Sequence, residues 1–215
     1  MAEGYDNVTA TQTRPDVAAV VSRKRGAALE DAIRAAAFAE LTEVGYTAFS
    51  VEAVAARART GKASIYRRWP TKQDLVMDAL LEKMPTPEQC GITVELDDSV
   101  TTAQALLTVA RSIADVITSP AGDAMRAIKC EAMSDPELAK LIDERFQAPR
   151  RAFLLRLLER GIERGEVRPG AATPLVADVV PAVLAHRVIM LREKIRPRDI
   201  TDIIEQVFLP LVEVR

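Results

Sequence analysis

Between Ser50 and Thr71 the sequence SVEAVAARARTGKASIYRRWPT leaves room for two short helices and one tight turn. Ser50 stands directly before a run with helical apolar spacing, where its hydroxyl can accept from a free amide of the first turn. Val51, Val54 and Ala55 form the inward face of that helix. A break at Arg59, Thr60 and Gly61 ends it. Ile65 and Trp69, four residues apart, share one face of the next helix, and Pro70, which has no amide to donate, stops it. Thr71 is placed to cap a further helix, with Asp74 three residues on and Leu75, Val76, Ala79 and Leu80 running apolar toward Met84.

The same stretch concentrates charge. Residues 59–72 hold five Lys or Arg and no acidic residue, although the 215-residue chain has a formal net charge of -2 and a pI near 5.6. That balance argues against coating a polyanion with the whole surface, so any contact with one is local. A capped helix, a tight turn and a second short cationic helix is the helix-turn-helix arrangement, whose second helix enters the major groove of double-stranded DNA. Residues 62–68 rise about 10 Å at 1.5 Å each, short enough to present an end to a groove about 12 Å wide. Ala63 and Ser64 are small, which admits close approach to base edges, and the Ser64 hydroxyl suits base or phosphate. Arg67 lies four residues after Ala63 on the same exposed side, and the Tyr66 hydroxyl can donate to a phosphate.

The segment SVEAVAARARTGKASIYRRWPTKQDLV, with a preceding helix that ends in EVGY, resembles the DNA-binding signature of the TetR family of bacterial transcription regulators over about residues 25 to 80. The resemblance implies that Ser50 caps its helix near a phosphate and that Lys62, Ala63, Ser64 and Tyr66 open the recognition helix. It also implies that Lys72 touches phosphate at the start of the fourth helix. The family usually has a glycine, an apolar residue and a serine or threonine where this chain has Arg59, Thr60 and Gly61. Arg59 then occupies a position that often needs a positive φ, at a cost of roughly 1 kcal/mol for a non-glycine residue. Gly61 replaces a side-chain cap at a cost of a few tenths of a kcal/mol, roughly. Arg59 is also a candidate for an added phosphate contact.

Around this segment the periodicity predicts an all-α chain. Residues 1–22 read as a flexible tail, 23–75 as a three-helix helix-turn-helix domain and 76–215 as a larger helical bundle for ligand binding and dimerisation. Helix one carries Ala28, Ile33, Ala36, Ala37, Phe38 and Leu41 on one face and stops at Gly45. Arg23, Lys24 and Arg25 fit either an arm along DNA or a solvated tail. CGITVELDDS, after Pro85 and Pro87, is the only strand-like stretch and is too isolated for a sheet. Further helices are expected near 100–118, 121–133, 136–164, 173–194 and 199–214, with kinks or breaks at Pro149 and Pro181.

Cys90 and Cys130 stand without a CxxC, and His186 is the only histidine, so no disulfide framework or metal site is supported. Cys130 reads as a buried thiol. No secretory signal and no apolar run near the roughly 20 residues needed to cross a bilayer is evident, and a cytoplasmic location fits best. Catalytic patterns are absent, so neither enzymatic activity nor a cofactor is expected. Met125, Phe146, Phe153 and Met190 are spaced equally well for core or for a cavity wall, and Arg111, Arg126 or His186 could anchor a ligand. These segments carry few fixed charges, which suggests an apolar or amphipathic small-molecule effector.

The last two helices carry apolar bands, one through Leu175, Val176, Val179, Val180, Val183, Leu184, Val188 and Leu191, the other through Ile203, Ile204, Val207, Phe208 and Leu211. They suit a monomer core, and they also suit the homodimer interface, here residues 173–214, that the family resemblance implies. The preferred reading is a homodimeric regulator on a palindromic operator, most simply a repressor released by a ligand. A helical interaction module whose basic patch meets an acidic protein is the alternative.

Overall fold

The structure is a computed structural model that describes residues 17–84 and 100–214, with side-chain surroundings from residue 26 onward. The N-terminal unit comprises α1 (Val17–Ala48), α2 (Val51–Arg57), α3 (Lys62–Tyr66) and α4 (Lys72–Leu81). The remainder comprises α5 (Thr102–Ile117), α6 (Pro120–Ala132), α7 (Pro136–Ile142), α8 (Ala148–Glu163), α9 (Pro174–Ala185), α10 (Pro197–Ile203) and α11 (Leu209–Val212). No strand occurs among the described residues. The strand-like residues 90–99 fall outside them, as do residues 1–16 of the expected tail. Residues 17–22, read as tail from composition, are helical, since α1 begins at Val17.

Polar residues start these helices, Ser50 and Thr71 as the sequence predicts and four others besides. Ser50, Thr71, Thr101, Ser119, Asp135 and Thr173 each accept a hydrogen bond from a first-turn amide. Gly45, at φ 76°, interrupts α1 in a conformation that a side chain would strain. The predicted helix over 136–164 is continuous but widens into a π turn at Asp143–Gln147, just ahead of Pro149. A second π turn, Ile204–Phe208, comes just ahead of Pro210, and a third, His186–Met190, follows α9 with its internal Pro181. Ahead of Pro149 and Pro210 the proline ring crowds the carbonyl four residues earlier and leaves it without its usual donor, and a widened turn relieves both without breaking the helix; Pro181, expected to kink or break its helix, lies inside a continuous α9.

Two cores organise the chain. The first joins α1–α4 to α6 and α7: Ile33, Ile65, Leu75 and Leu80 pack together with Ile128 and Leu138. The second joins α5 to α8–α11 around Leu157, Leu158, Leu184 and Phe208. Gly122 allows α6 to start pressed against the end of α5, because a Cβ there would collide with the carbonyl oxygens of Val116 and Ile117. Ion pairs reinforce the first core: Arg34 on α1 donates to Glu82 at 2.7 Å, and Arg57 on α2 donates to the buried Glu40 at 3.0 Å.

Candidate nucleic-acid interface and the adjoining cavity

A helix of five residues has no stability of its own, so α3 exists because its neighbours hold it. Ile65 is 1% and Trp69 6% exposed, both in the first core, and the Trp69 indole donates to Asp78 at 2.8 Å. Arg68 ties the far end of α3 to α1 through Glu30 at 2.9 Å. Burying the Ile65 and Trp69 side fixes what turns outward: Lys62, Ala63, Tyr66 and Arg67 are exposed and Ser64 is half-buried. The Ser64 hydroxyl oxygen accepts from Arg68 at 3.2 Å and Arg67 at 3.4 Å, leaving its own proton to donate. Ser50 caps α2 through the Ala53 amide at 3.1 Å.

The turn adopts the backbone that the family pattern implies, despite the residues that replace it. Arg59 has φ 51°, and Gly61 is the N-cap of α3 with no side-chain bond. Arg59 is exposed and makes no ion pair among the described residues. Lys62 donates to Glu52 at 2.7 Å, which holds the Glu52 carboxyl below its usual range and the Lys62 ammonium above its own. Both partners are exposed, so a phosphate can displace Glu52 with little rearrangement.

Lys72 has a different environment from the other cations. Its ammonium donates to the Tyr46 carbonyl at 2.7 Å and sits 4.4 Å from the centre of the Tyr46 ring. Burial lowers its pKa, with Glu131 opposing. Lys72 therefore neutralises the carbonyl end of α1 where the chain bends at Gly45, and keeps two further protons for an outside partner.

A cavity of about 290 Å³ lies where the two cores meet. Its walls come from the end of α4 (Met84), the end of α5 (Val116, Ile117), α6 (Met125, Arg126, Lys129), the π turn and α8 (Phe146, Gln147, Arg150, Arg151, Leu154) and α9 (Asp178, Pro181, Ala182, Ala185) with Ile189 beyond it. Of the residues that the sequence suggested for a ligand, Met125, Phe146 and Arg126 line this space. Phe153 is buried in the second core, and Arg111, His186 and Met190 are exposed, none of the four on the cavity wall. Cys130, expected to be buried, is exposed, because Met125 and Ile128 take the inward positions of α6.

The cavity carries more charge than those segments suggested: four cationic side chains and a single carboxylate, Asp178. Arg151 pairs with Asp178 at 3.0 Å, and Arg126 pairs with Asp123 at 2.8 Å. Lys129 and Arg150 make no ion pair among the described residues and lie over the Phe146 ring, 5.5 and 4.4 Å from its centre. Burial and the charge of Arg150 lower the pKa of Lys129. Burial also pushes the Arg150 guanidinium down to about 10, Arg151 adding to the effect and Asp178 opposing it. Helical spacing holds a signal for these residues, since Lys129 follows Met125 by four and Arg150 lies midway between Phe146 and Leu154.

Residues 33–79 match the family described as "Bacterial regulatory proteins, tetR family", and residues 96–207 match "Tetracyclin repressor-like, C-terminal domain". The chain is 28% identical over 190 residues to the uncharacterized HTH-type transcriptional regulator YdeS of Bacillus subtilis, covering 86% of this chain and 91% of that protein. It is 31% identical over 169 residues to the DNA-binding transcriptional repressor TetR of Mycobacteroides abscessus, covering 76% and 83%. A TetR family transcriptional regulator from Pseudomonas syringae pv. tomato has the same fold, with a TM-score of 0.60 at 20% identity over 86% of this chain and 97% of that one.

Proposed function

The chain belongs to the TetR family of bacterial regulatory proteins, DNA-binding transcriptional regulators rather than enzymes, and from that premise we propose that it is a ligand-released repressor that binds a palindromic operator as a homodimer. The observation that carries this reading is the outward set Lys62, Ala63, Ser64, Tyr66 and Arg67 on a helix pinned from behind by Ile65 and Trp69. Arg67 and Ser64 are assigned to base edges, and Ser50, Arg59, Lys62, Tyr66 and Lys72 to phosphates, with Ala63 admitting the close approach. A repressor among the relatives supports the sign of regulation.

The homodimer reading is supported by apolar side chains that the single chain leaves uncovered. Leu175 is 79%, Met190 70% and Leu191 54% exposed, and Val207 and Leu211 are exposed beside them in sequence order on the last helices. The apolar bands of residues 173–214 thus divide: Val180, Leu184, Ile203, Ile204 and Phe208 fill the second core with Val176, Val179 and Val183 packed against it, and Leu175, Leu191, Val207 and Leu211 are left for a second copy. Light scattering at micromolar concentration is expected to give the mass of two chains, and a monomer there overturns this part.

The position of the cavity supports release by a ligand. Helix α6 supplies Met125 and Lys129 to it and, from the same turn, Glu131, which accepts from Thr47 of α1 at 2.9 Å. Arg145 in the π turn beside Phe146 donates to Asp74 in the first turn of α4 at 3.1 Å. A ligand that favours one seating of α6 shifts the DNA-competent population, by no more than its difference in affinity between the two states. Selection from a random duplex pool, followed by anisotropy at two salt concentrations, tests operator binding. A palindrome bound far more tightly than its scramble, with a slope of several phosphates, is expected, whereas equal and salt-suppressed binding to both overturns it.

A further inference from the structure

We infer that the cavity between the two cores takes an amphipathic organic anion, its charged group held by Lys129 and Arg150 and its apolar body lying against Met125, Leu154 and Pro181. The inference rests on reading this cavity as the effector site.

Lys129 and Arg150 come from helices 21 positions apart in sequence and converge on one aromatic ring, with no carboxylate paired to either among the described residues. Two like charges brought together inside a protein repel each other and lose hydration, so the arrangement costs stability unless something offsets it. The Phe146 ring offsets part through its electron-rich face. Asp178 is engaged by Arg151 and Asp123 by Arg126, so the lining has no further carboxylate to give. An anion seated between the Lys129 ammonium and the Arg150 guanidinium removes the repulsion and supplies the missing acceptors. Charge-assisted hydrogen bonds of this kind are the strong ones, and the planar guanidinium suits a carboxylate or phosphate.

The remaining wall sets the other half of the ligand. Apart from Gln147 and the paired Arg126, Arg151 and Asp178, the wall is apolar, formed by Val116, Ile117, Met125, Leu154, Pro181 and Ile189. At about 290 Å³ the space is at the small end of ligand sites, which run to roughly 300 to 1,000 Å³. A carboxylate on an aliphatic or aromatic body of modest size fits. Inorganic phosphate meets the cations and leaves the apolar wall unfilled; a neutral alcohol does the reverse.

The test uses the full-length protein without DNA, with straight-chain carboxylates of four to twelve carbons, the matching primary alcohols and inorganic phosphate as probes in titration calorimetry. At least one carboxylate is expected to bind, about tenfold or more tighter than its alcohol and than phosphate. Arg150→Gln and Lys129→Gln should each erase most of that preference while leaving the alcohol unchanged, and Arg150→Lys should restore part of it. Circular dichroism confirms that each variant folds, and the two independent glutamine variants keep the test valid if one does not. No binding by any carboxylate, equal binding of acid and alcohol, phosphate as tight as the acids, or an unchanged preference in a folded glutamine variant would each overturn the inference. Adding the bound carboxylate to the protein on its selected operator separates the two readings. Binding without release keeps the anion site and sinks ligand-triggered release, and release by the alcohols alone does the opposite.

Discussion

Two groups of cations in this chain occupy opposite environments. On α2–α3, Arg59, Lys62 and Arg67 are exposed, and the partners they have are exposed carboxylates or hydroxyls that water can replace. At the cavity, Lys129 and Arg150 are half-buried and face an aromatic ring instead of a carboxylate. A solvated cation is cheap to keep and is screened by salt, so it suits a long polyanion met in any register. A desolvated pair is costly to keep and little screened, so it suits one small anion in one geometry.

The largest effect should come from removing what holds the first group in place. Trp69→Ala deletes the anchor of α3 and its bond to Asp78, and is expected to destabilise the chain by about 3–5 kcal/mol in denaturant unfolding and to abolish specific DNA binding. Cavity binding of a carboxylate, measured at a temperature where the variant is folded, should survive. Loss of both would mean that the two sites fold and fail as one unit.

Arg67→Ala sharpens it from the DNA side. Affinity for the selected duplex should fall by about 1–3 kcal/mol, with a smaller loss on a scrambled duplex, as expected for a base-reading side chain. An equal loss on both, with the salt slope reduced by about 1, would reassign Arg67 to phosphate.

Lys129→Met tests the buried group without ligand. The folded pKa of Lys129 is depressed below 10.5, so the protein carries the cost of the buried cation at neutral pH and loses it as pH rises from that depressed value to 10.5. The variant should therefore be more stable than the parent by about 1 kcal/mol near neutrality. The difference in Tm between the two should shrink as pH approaches 10.5. A difference that is constant with pH would mean that the ammonium is effectively solvated. Arg59→Gly gives the smallest effect, since relieving a φ of 51° should stabilise the turn by about 0.5–1 kcal/mol while removing at most one phosphate from the salt slope.

The two sites differ equally in how they could be read. The surface proposed to read DNA is contiguous in sequence. Ser50, Gly61, Ile65, Trp69 and Pro70 specify caps, turn and inward face within 21 positions, so local rules were enough to orient Lys62, Tyr66 and Arg67 outward. Lys72 shows where those rules stop, since its bond to the Tyr46 carbonyl depends on how α4 meets the bend of α1. In the C-terminal part, periodicity located the helices, and Pro149 marked the π turn just ahead of it, whereas Pro181 lies inside α9 without breaking it. It did not separate Cys130, which is exposed, from its buried neighbour Ile128, nor did it reveal that Phe153 packs into the second core while Phe146 reaches the cavity.

The amino-acid sequence by itself determined an all-α chain, its caps and breaks, and a cationic helix-turn-helix, because each depends on residues within a few turns of one another. Only the tertiary structure decided that α6 joins the first core, which apolar residues of 173–214 stay uncovered, and that Lys129 meets Arg150 over Phe146. Those outcomes depend on packing between helices far apart in the chain. Periodicity says which face of a helix turns inward, and it carries no information about which other face it will meet.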